Sequence, residues 1–425
     1  MRRPFSLLVL LALVCGACTA SRPASKRDDR PNVLIVVSDD ERIESEAGRP
    51  YVTDWFKSGT TFTHAFATTP QCCPSRASIL TGQYAHNHDI HRKRDAEDIV
   101  GTHTLPYHLK KAGYETGFAG KYLNGWPDKR KPPYFDRWAL GVGYNDRPFV
   151  VQGKKQKAKY GPSFVFNLGE RDIENWETDD DKPWFLMLAP STPHDPYQAQ
   201  AKYDKVPFAW AGNPASREED RTDKPPYVLR KGFSAGYGEA LRESQLRTLR
   251  SLDDSFKLLV KRLTDTDELR RTLVIYVSDN GLMWAEHGLE GKGVPYLPSV
   301  RVPMYVRGPG IAKGTNDNLV ANIDIAPTIY AMLGIKTGYT MDGRDLRTSK
   351  RSELLLEFEG GGSIPKWWSM VTKRWQYIRY GSGLREFYDL VDDPYELDNK
   401  PEQLPVELEV ALSEAESCVG TKACP

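Results

Sequence analysis

Three apolar stretches of this chain end on side chains that could do chemistry. Asn32–Ser38 stops at Asp39-Asp40, Trp184–Ala189 leads through Pro190-Ser191-Thr192-Pro193 to His194, and the run 273–278 stops at Asp279-Asn280. Continuous runs rich in β-branched residues read as buried strands of a parallel sheet. Parallel strands share one carboxyl edge, where the sites of open α/β sheets form. Residues far apart in sequence can therefore meet there. Asp39, Asp40, Asp279 and Asn280 would present three carboxylates and one amide oxygen. Such hard donors suit Ca²⁺ or Mg²⁺ over Zn²⁺, and a large, flexible carboxylate shell favours Ca²⁺. Taken singly, each pair also reads as ordinary turn chemistry after a strand.

A further segment, Gln71-Cys72-Cys73-Pro74-Ser75-Arg76-Ala77-Ser78-Ile79-Leu80-Thr81-Gly82, resembles the signature of the type I sulfatases. In that family Cys-x-Pro-Ser-Arg directs oxidation of the first Cys to Cα-formylglycine. Only Cys72 has the required spacing to Pro74 and Arg76, and Cys73 fills the free position. Without the resemblance, the two cysteines read as a buried pair or a vicinal disulfide. The similarity continues in order over most of residues 31–400. Asp39-Asp40 and Ser278-Asp279-Asn280-Gly281 resemble the family's metal-ligand pairs. Gly120-Lys121 and Gly291-Lys292 resemble the segments bearing its sulfate-binding lysines, and Pro193-His194 resembles the one bearing its catalytic histidine. Arg301-Val302-Pro303 follows as in the family, and Phe387-Tyr388-Asp389-Leu390 with Asp393-Pro394 and Glu396 resembles its C-terminal sheet motif.

The resemblance implies a sulfuric ester hydrolase. Its nucleophile would be a diol formed by hydration of formylglycine at Cys72, with one diol oxygen in the metal shell. Lys121 and Lys292 would neutralise the sulfate, His194 would protonate the leaving oxygen, and Arg76 would orient the diol and nearby carboxylates. Maturation would need a formylglycine-generating enzyme. Two positions depart from the pattern. Many arylsulfatases read Gly-Lys-Trp-His where this chain has Gly120-Lys121-Tyr122-Leu123-Asn124, which leaves open the base for sulfate elimination. Leu297 stands where Glu is frequent. The first variant, with Cys72-Cys73 and Ala85-His86-Asn87-His88, resembles glucosamine-6-sulfatases and extracellular heparan-type sulfatases. It implies a sulfated carbohydrate, such as 6-O-sulfated glucosamine, over a small sulfate ester. His86, His88 and His287 read either as pocket-lining or as packing residues. Two rival readings are a phosphomonoester or phosphodiester hydrolase of the same superfamily and an inactive sulfated-glycan-binding protein. The oxygen-only ligand set opposes the first. The intact Cys72, Pro74 and Arg76 oppose the second, for which the basic 154–159 stretch is the one supporting feature.

These residues need a scaffold. Apolar runs alternating with helical patterns at 105–113, 240–263 and 325–333 predict an α/β domain over 31–345, with a large, mostly parallel sheet flanked by helices as in alkaline-phosphatase-like sulfatases. Short strand-like runs at 354–358, 367–372, 375–380 and 387–390, then a helix at 402–417, predict a small antiparallel C-terminal subdomain over 346–425. Segments 129–159 and 208–231, rich in Pro, charge and aromatics, read as long surface loops near the site. Residues 1–30 read as an export segment, with a basic start, an apolar core over 5–14 and a polar linker. Lipidation at Cys18 of a bacterial cell envelope and plain secretion after Ala17 or Ala20 both fit. No sequon for N-glycosylation occurs. Cys418 and Cys424 flank a short polar loop and read as a disulfide in an oxidising compartment. Lys+Arg is 58 and Asp+Glu is 57, a net charge of +1. That balance gives no global field toward nucleic acid or an acidic membrane.

Overall fold

The computed structural model describes residues 28–178, 182–230 and 232–425. The apolar core and processing sites of the export segment, Cys18 among them, lie outside these residues. In chain order the first eight strands are β1 (Asn32–Ser38), β2 (Thr60–Phe66), β3 (Glu115–Gly120), β4 (Arg137–Leu140), β5 (Asn145–Val151), β6 (Lys154–Tyr160), β7 (Trp184–Ala189) and β8 (Thr272–Ser278). The rest are β9 (Met283–Trp284), β10 (Glu290–Gly291), β11 (Met304–Arg307), β12 (Gly314–Ala321), β13 (Glu353–Phe358), β14 (Trp367–Thr372), β15 (Trp375–Tyr380) and β16 (Arg385–Asp389). Ten of them form one sheet in the order β12-β2-β11-β8-β1-β7-β3-β4-β5-β6. Its centre, β8-β1-β7-β3-β4, is entirely parallel.

The central strands are apolar throughout because helices cover both faces. Ile35, Met187 and Ile275 belong to one core, and Leu34, Leu186 and Val274 to the core on the opposite face. The long helix Ala235–Asp265 buries Leu246, Leu249, Leu252, Phe256 and Leu259 on one side, as its 3.6-residue spacing requires. Ser234 caps it by accepting from the Tyr237 N–H. The helix Cys72–Thr81 is buried along its whole length and ends on Gly82 at φ 70°.

One expectation needs correction. The 129–159 segment is not a long loop, since it contains β4, β5 and β6 and extends the sheet to its edge. Lys154, Lys155, Gln156 and Lys157 are exposed, so β6 carries little apolar signature, while β5 buries only its end, Phe149 to Val151. Main-chain pairing between β5 and β6 makes the strand without it. Residues 208–230 are irregular apart from a 3-10 turn at Pro214–Arg217. The strands β13 to β16 form a separate antiparallel sheet in sequence order. Among the described residues no helix is long and apolar enough to cross a membrane.

Candidate active site

The carboxyl ends of β8, β1, β7 and β3 lie side by side, and the ladder runs past them. Asp279 N–H donates to Ser38 O at 3.1 Å, Asp39 N–H to Thr192 O at 2.9 Å, and Lys121 N–H to Ala189 O at 2.8 Å. This main-chain pairing fixes where each side chain leaves the sheet. Asp40 then turns into the left-handed region, at φ 67°, with its N–H donating to Asp279 Oδ1 at 3.1 Å. Asp is among the few residue types that tolerate that conformation.

Cys72 joins them as the first residue of the helix Cys72–Thr81. Its Sγ lies 3.3 Å from Lys121 Nζ, 2.7 Å from Lys292 Nζ, 3.5 Å from Asp39 Oδ1 and 3.7 Å from Asp40 Oδ1. Burial pushes the thiol well above its ordinary range, and the Asp279 carboxylate adds to that despite the two lysines. As a thiol, Cys72 therefore stays protonated.

The carboxylates are held by cations. Lys121 Nζ donates to both oxygens of Asp39 at 2.7 Å, and Lys292 Nζ donates to Asp40 Oδ1. Arg76, one helical turn beyond Cys72, donates from Nε to Asp279 Oδ2 at 2.8 Å and from a terminal nitrogen to Lys121 O. Burial alone would raise the Asp39 and Asp40 carboxyls. Lys121 outweighs it at Asp39 and Lys292 at Asp40, so both sit below the usual carboxylate range. Burial likewise opposes the charge on both lysines, but their aspartates hold them above the ordinary lysine value.

His194 is the most exposed member, at 30% of its side chain, and places Nε2 3.6 Å from Asp40 Oδ2. Its Nδ1 contacts Asp195 Oδ1 at 2.6 Å. Asp39, Asp40, Cys72 and His194 each offer a ligand atom within 4.8 Å of the others. Asn280 donates from Nδ2 to Asp40 Oδ1 at 2.7 Å, while its buried Oδ1 has no partner. Beside three carboxylates, an orphaned amide oxygen fits a hard divalent cation. A cleft of about 450 Å³ reaches this cluster and is lined by Asp39, Lys121, Asn124, Tyr144, Ser191 and His194.

The other singled-out residues lie elsewhere. His86 pairs with Glu357 at 2.9 Å, His287 with Glu218 at 2.7 Å, and His88 is enclosed with Nε2 3.1 Å from Ser78 Oγ. Burial first, then the nearby His91, lowers His88 to about 3. Leu123 is buried in the core and offers no base. Cys418 and Cys424 are joined by a disulfide at the chain end.

Two supporting residues were not anticipated from the sequence. Gln245, buried on the long helix, donates to Asp40 O at 3.1 Å and Pro193 O at 3.2 Å while accepting from Trp284 Nε1 at 2.6 Å. Asn322 accepts from Thr68 N–H and donates to Ser75 Oγ at 2.9 Å, bracing the start of the Cys72 helix. Polar residues on otherwise apolar faces were the only hint.

A family model described as Sulfatase matches residues 31–335, and one described as N-sulphoglucosamine sulphohydrolase, C-terminal, matches residues 285–413. The chain is 32% identical over 353 residues to an extracellular sulfatase SULF-1 homolog of Drosophila melanogaster, covering 76% of this chain and 31% of that protein. It is 32% identical over 399 residues to the N-acetylglucosamine-6-sulfatase of Homo sapiens, covering 83% of this chain and 72% of that protein. The chain thus spans about a third of the length of the Drosophila relative. Among solved structures, BT4656 in complex with its substrate D-glucosamine-2-N,6-O-disulfate superposes with a TM-score of 0.77 at 21% identity, covering 91% of this chain and 97% of that one.

Proposed function

The chain belongs to the sulfatase family, and from that premise we propose that it hydrolyses O-sulfate esters of a sulfated carbohydrate of the glucosamine-6-sulfate kind. One observation carries the reading. Cys72 lies buried at a helix start between Lys121 and Lys292, beside three carboxylates and an orphaned amide oxygen. A thiol held in its protonated form is a poor nucleophile, and this arrangement suits a modified side chain. Conversion of Cys72 to formylglycine by a maturation enzyme would supply, once hydrated, an oxygen nucleophile. Asp39, Asp40, Asp279 and Asn280 would hold Ca²⁺, or Mg²⁺, which would lower the pKa of a bound hydroxyl and polarise the sulfate.

The chain's own residues do the rest. A sulfate ester is a poor, anionic electrophile, so its reaction needs fixed positive charge around the sulfate oxygens. Lys121 and Lys292 supply that charge from either side of Cys72. His194 stands at the cleft wall with its Nδ1 engaged by Asp195, leaving Nε2 to give a proton to the leaving sugar oxygen. Arg76 keeps Asp279 and the Lys121 backbone in place behind the nucleophile. The resemblance to extracellular sulfatases supports export of the protein, with lipid attachment at Cys18 as one route.

The test pairs two measurements on protein from its own host. Peptide mass analysis of the segment around Cys72 is expected to show the thiol replaced by an aldehyde. Turnover of D-glucosamine-6-sulfate is expected to exceed that of a phosphate diester and a phosphonate monoester. Sulfate release by protein with an unmodified Cys72 would sink the mechanism, and a preference for the phosphorus esters would sink the substrate class.

A further inference from the structure

The catalytic cleft continues on the side of the β5–β6 hairpin into a second cavity of about 490 Å³. Lys121, Asn124, Val142 and Arg147 line both spaces. Besides Lys121, four cations from three separate segments line the second cavity: Lys93, Lys129, and Arg147 with Lys155 from the hairpin. Asp128 is the one carboxylate in its wall among the described residues. None of these four side chains has an ion-pair or hydrogen-bonding partner among the described residues, whereas nearby Arg130 pairs with Glu97 and Lys157 with Asp146. Unneutralised like charges around one concavity repel each other, and an anionic occupant removes that cost. Edge-strand lysines also discourage sheet-to-sheet pairing. That accounts for Lys154, Lys157 and Lys159, but not for Lys93 and Lys129, which lie outside the hairpin.

The wall is built rather than loose. Gly125, at φ 94°, packs so closely that a Cβ there would lie 1.9 Å from Lys93 O. Trp126 donates from Nε1 to Arg130 O at 2.8 Å and meets Tyr122 edge-on at 5.2 Å. Its half-buried ring gives the cavity a flat apolar surface. At the junction of the two spaces, Asn124 has a buried Oδ1 without a partner.

We infer that this cavity is a second anion subsite, which holds a sulfate or carboxylate of the sugar next to the one being desulfated. The sugar packs on Trp126. The substrate is then a polyanionic oligosaccharide rather than a single sulfated sugar. This rests on the sulfatase reading above for the chemistry, but not for the binding.

Two experiments on the full chain separate the claims. In the first, kcat/KM is compared for D-glucosamine-6-sulfate and a heparin-derived tetrasaccharide. The tetrasaccharide is expected to be preferred by about tenfold or more, since one charge-assisted hydrogen bond corresponds to roughly that factor. The double variant Lys129→Ala/Lys155→Ala is expected to lose the preference while keeping its rate on the monosaccharide. An equal fall on both substrates, or no fall on the tetrasaccharide, overturns the inference. In the second, the tetrasaccharide is titrated into Cys72→Ala protein at low and high salt. Removing the two lysines in that background should weaken binding about tenfold and flatten its salt dependence. Unchanged binding refutes the subsite even if desulfation proceeds. Lysine-dependent binding without turnover of either sugar upholds the subsite and overturns the activity.

Discussion

At the scale of single residues, the site is a set of charges that depend on one another. Asp39, Asp40 and Asp279 are almost fully buried, and Lys121, Lys292 and Arg76 balance them. Removing one partner of a buried pair leaves an uncompensated charge, at a cost of about 3–5 kcal/mol. Arg76→Met is therefore expected to lower stability by that order in urea unfolding, because Asp279 loses its cation. A loss below about 1 kcal/mol would show that the pair is not needed to keep Asp279 buried. Lys292 is 20% exposed in its side chain, so Lys292→Met should cost less stability while lowering kcat by about 10²–10³. Unchanged kcat would remove Lys292 from the reaction. The oxygen donors yield a test that needs no activity. Ca²⁺ at about a hundredfold excess over its Kd should stabilise Cys72→Ala protein by about 2.7 kcal/mol, reversibly by chelation, and Asn280→Ala should shrink the effect. A melting temperature indifferent to Ca²⁺ and Mg²⁺ would speak against a cation at this cluster.

At the scale of elements, the site depends on how strand ends and short helices are held. Gly120 ends β3 at φ 117°, and a Cβ there would lie 2.0 Å from Ala189 O. Gly120→Ala is expected to cost more than about 2 kcal/mol and to displace Lys121, and the two effects are read by unfolding and by kcat/KM. A variant of wild-type stability and rate would mean that β3 and β7 can separate locally at no cost. The helix Ala85–His88 is tied to β13 by His86 and Glu357. Burial lowers the His86 pKa, but the Glu357 hydrogen bond and charge outweigh it, so the value in the folded chain is raised. A raised folded value means that this contribution is complete below the unfolded value of about 6.5 and fades as pH rises through the folded one. The stability gap between wild type and His86→Gln should therefore be complete below about pH 6.5 and narrow as pH rises above it. A gap that widens with pH would contradict the pairing.

At the scale of the whole molecule, the two sheets share one core. Met283, Val294 and Tyr296, from the segment that carries Lys292, pack with Leu354, Trp367 and Tyr377 of the C-terminal sheet. Trp367 Nε1 donates to Gly293 O at 2.8 Å, Tyr296 Oη to Glu386 Oε2 at 3.0 Å, and the buried Arg351 pairs with Asp324. The position of Lys292 thus depends on strands that follow it by more than sixty residues. Calorimetry should show a single transition, with the calorimetric and van't Hoff enthalpies equal. A chain ending before β13 should expose this core and fail to accumulate as folded protein. Two resolved transitions, or a soluble active truncation, would show that the C-terminal sheet is an accessory.

What could be read in the sequence was local. The apolar runs of β1, β7 and β8 and the polar residues that end them needed only composition and spacing, because a strand covered on both faces must be apolar throughout. The Cys72–Arg76 pattern spans about one helical turn, and together with the ordered matches around it carried the resemblance. The structure alone decided the rest. β6 is held largely by main-chain pairing to β5 at a solvated edge, where little apolar alternation is required. Gln245 and Asn322 act through backbone groups that are distant in sequence. The cavity of Lys93, Lys129, Arg147 and Lys155 exists because three unrelated segments meet beside the cleft. Strand order and chain packing set such meetings, and no local pattern encodes them.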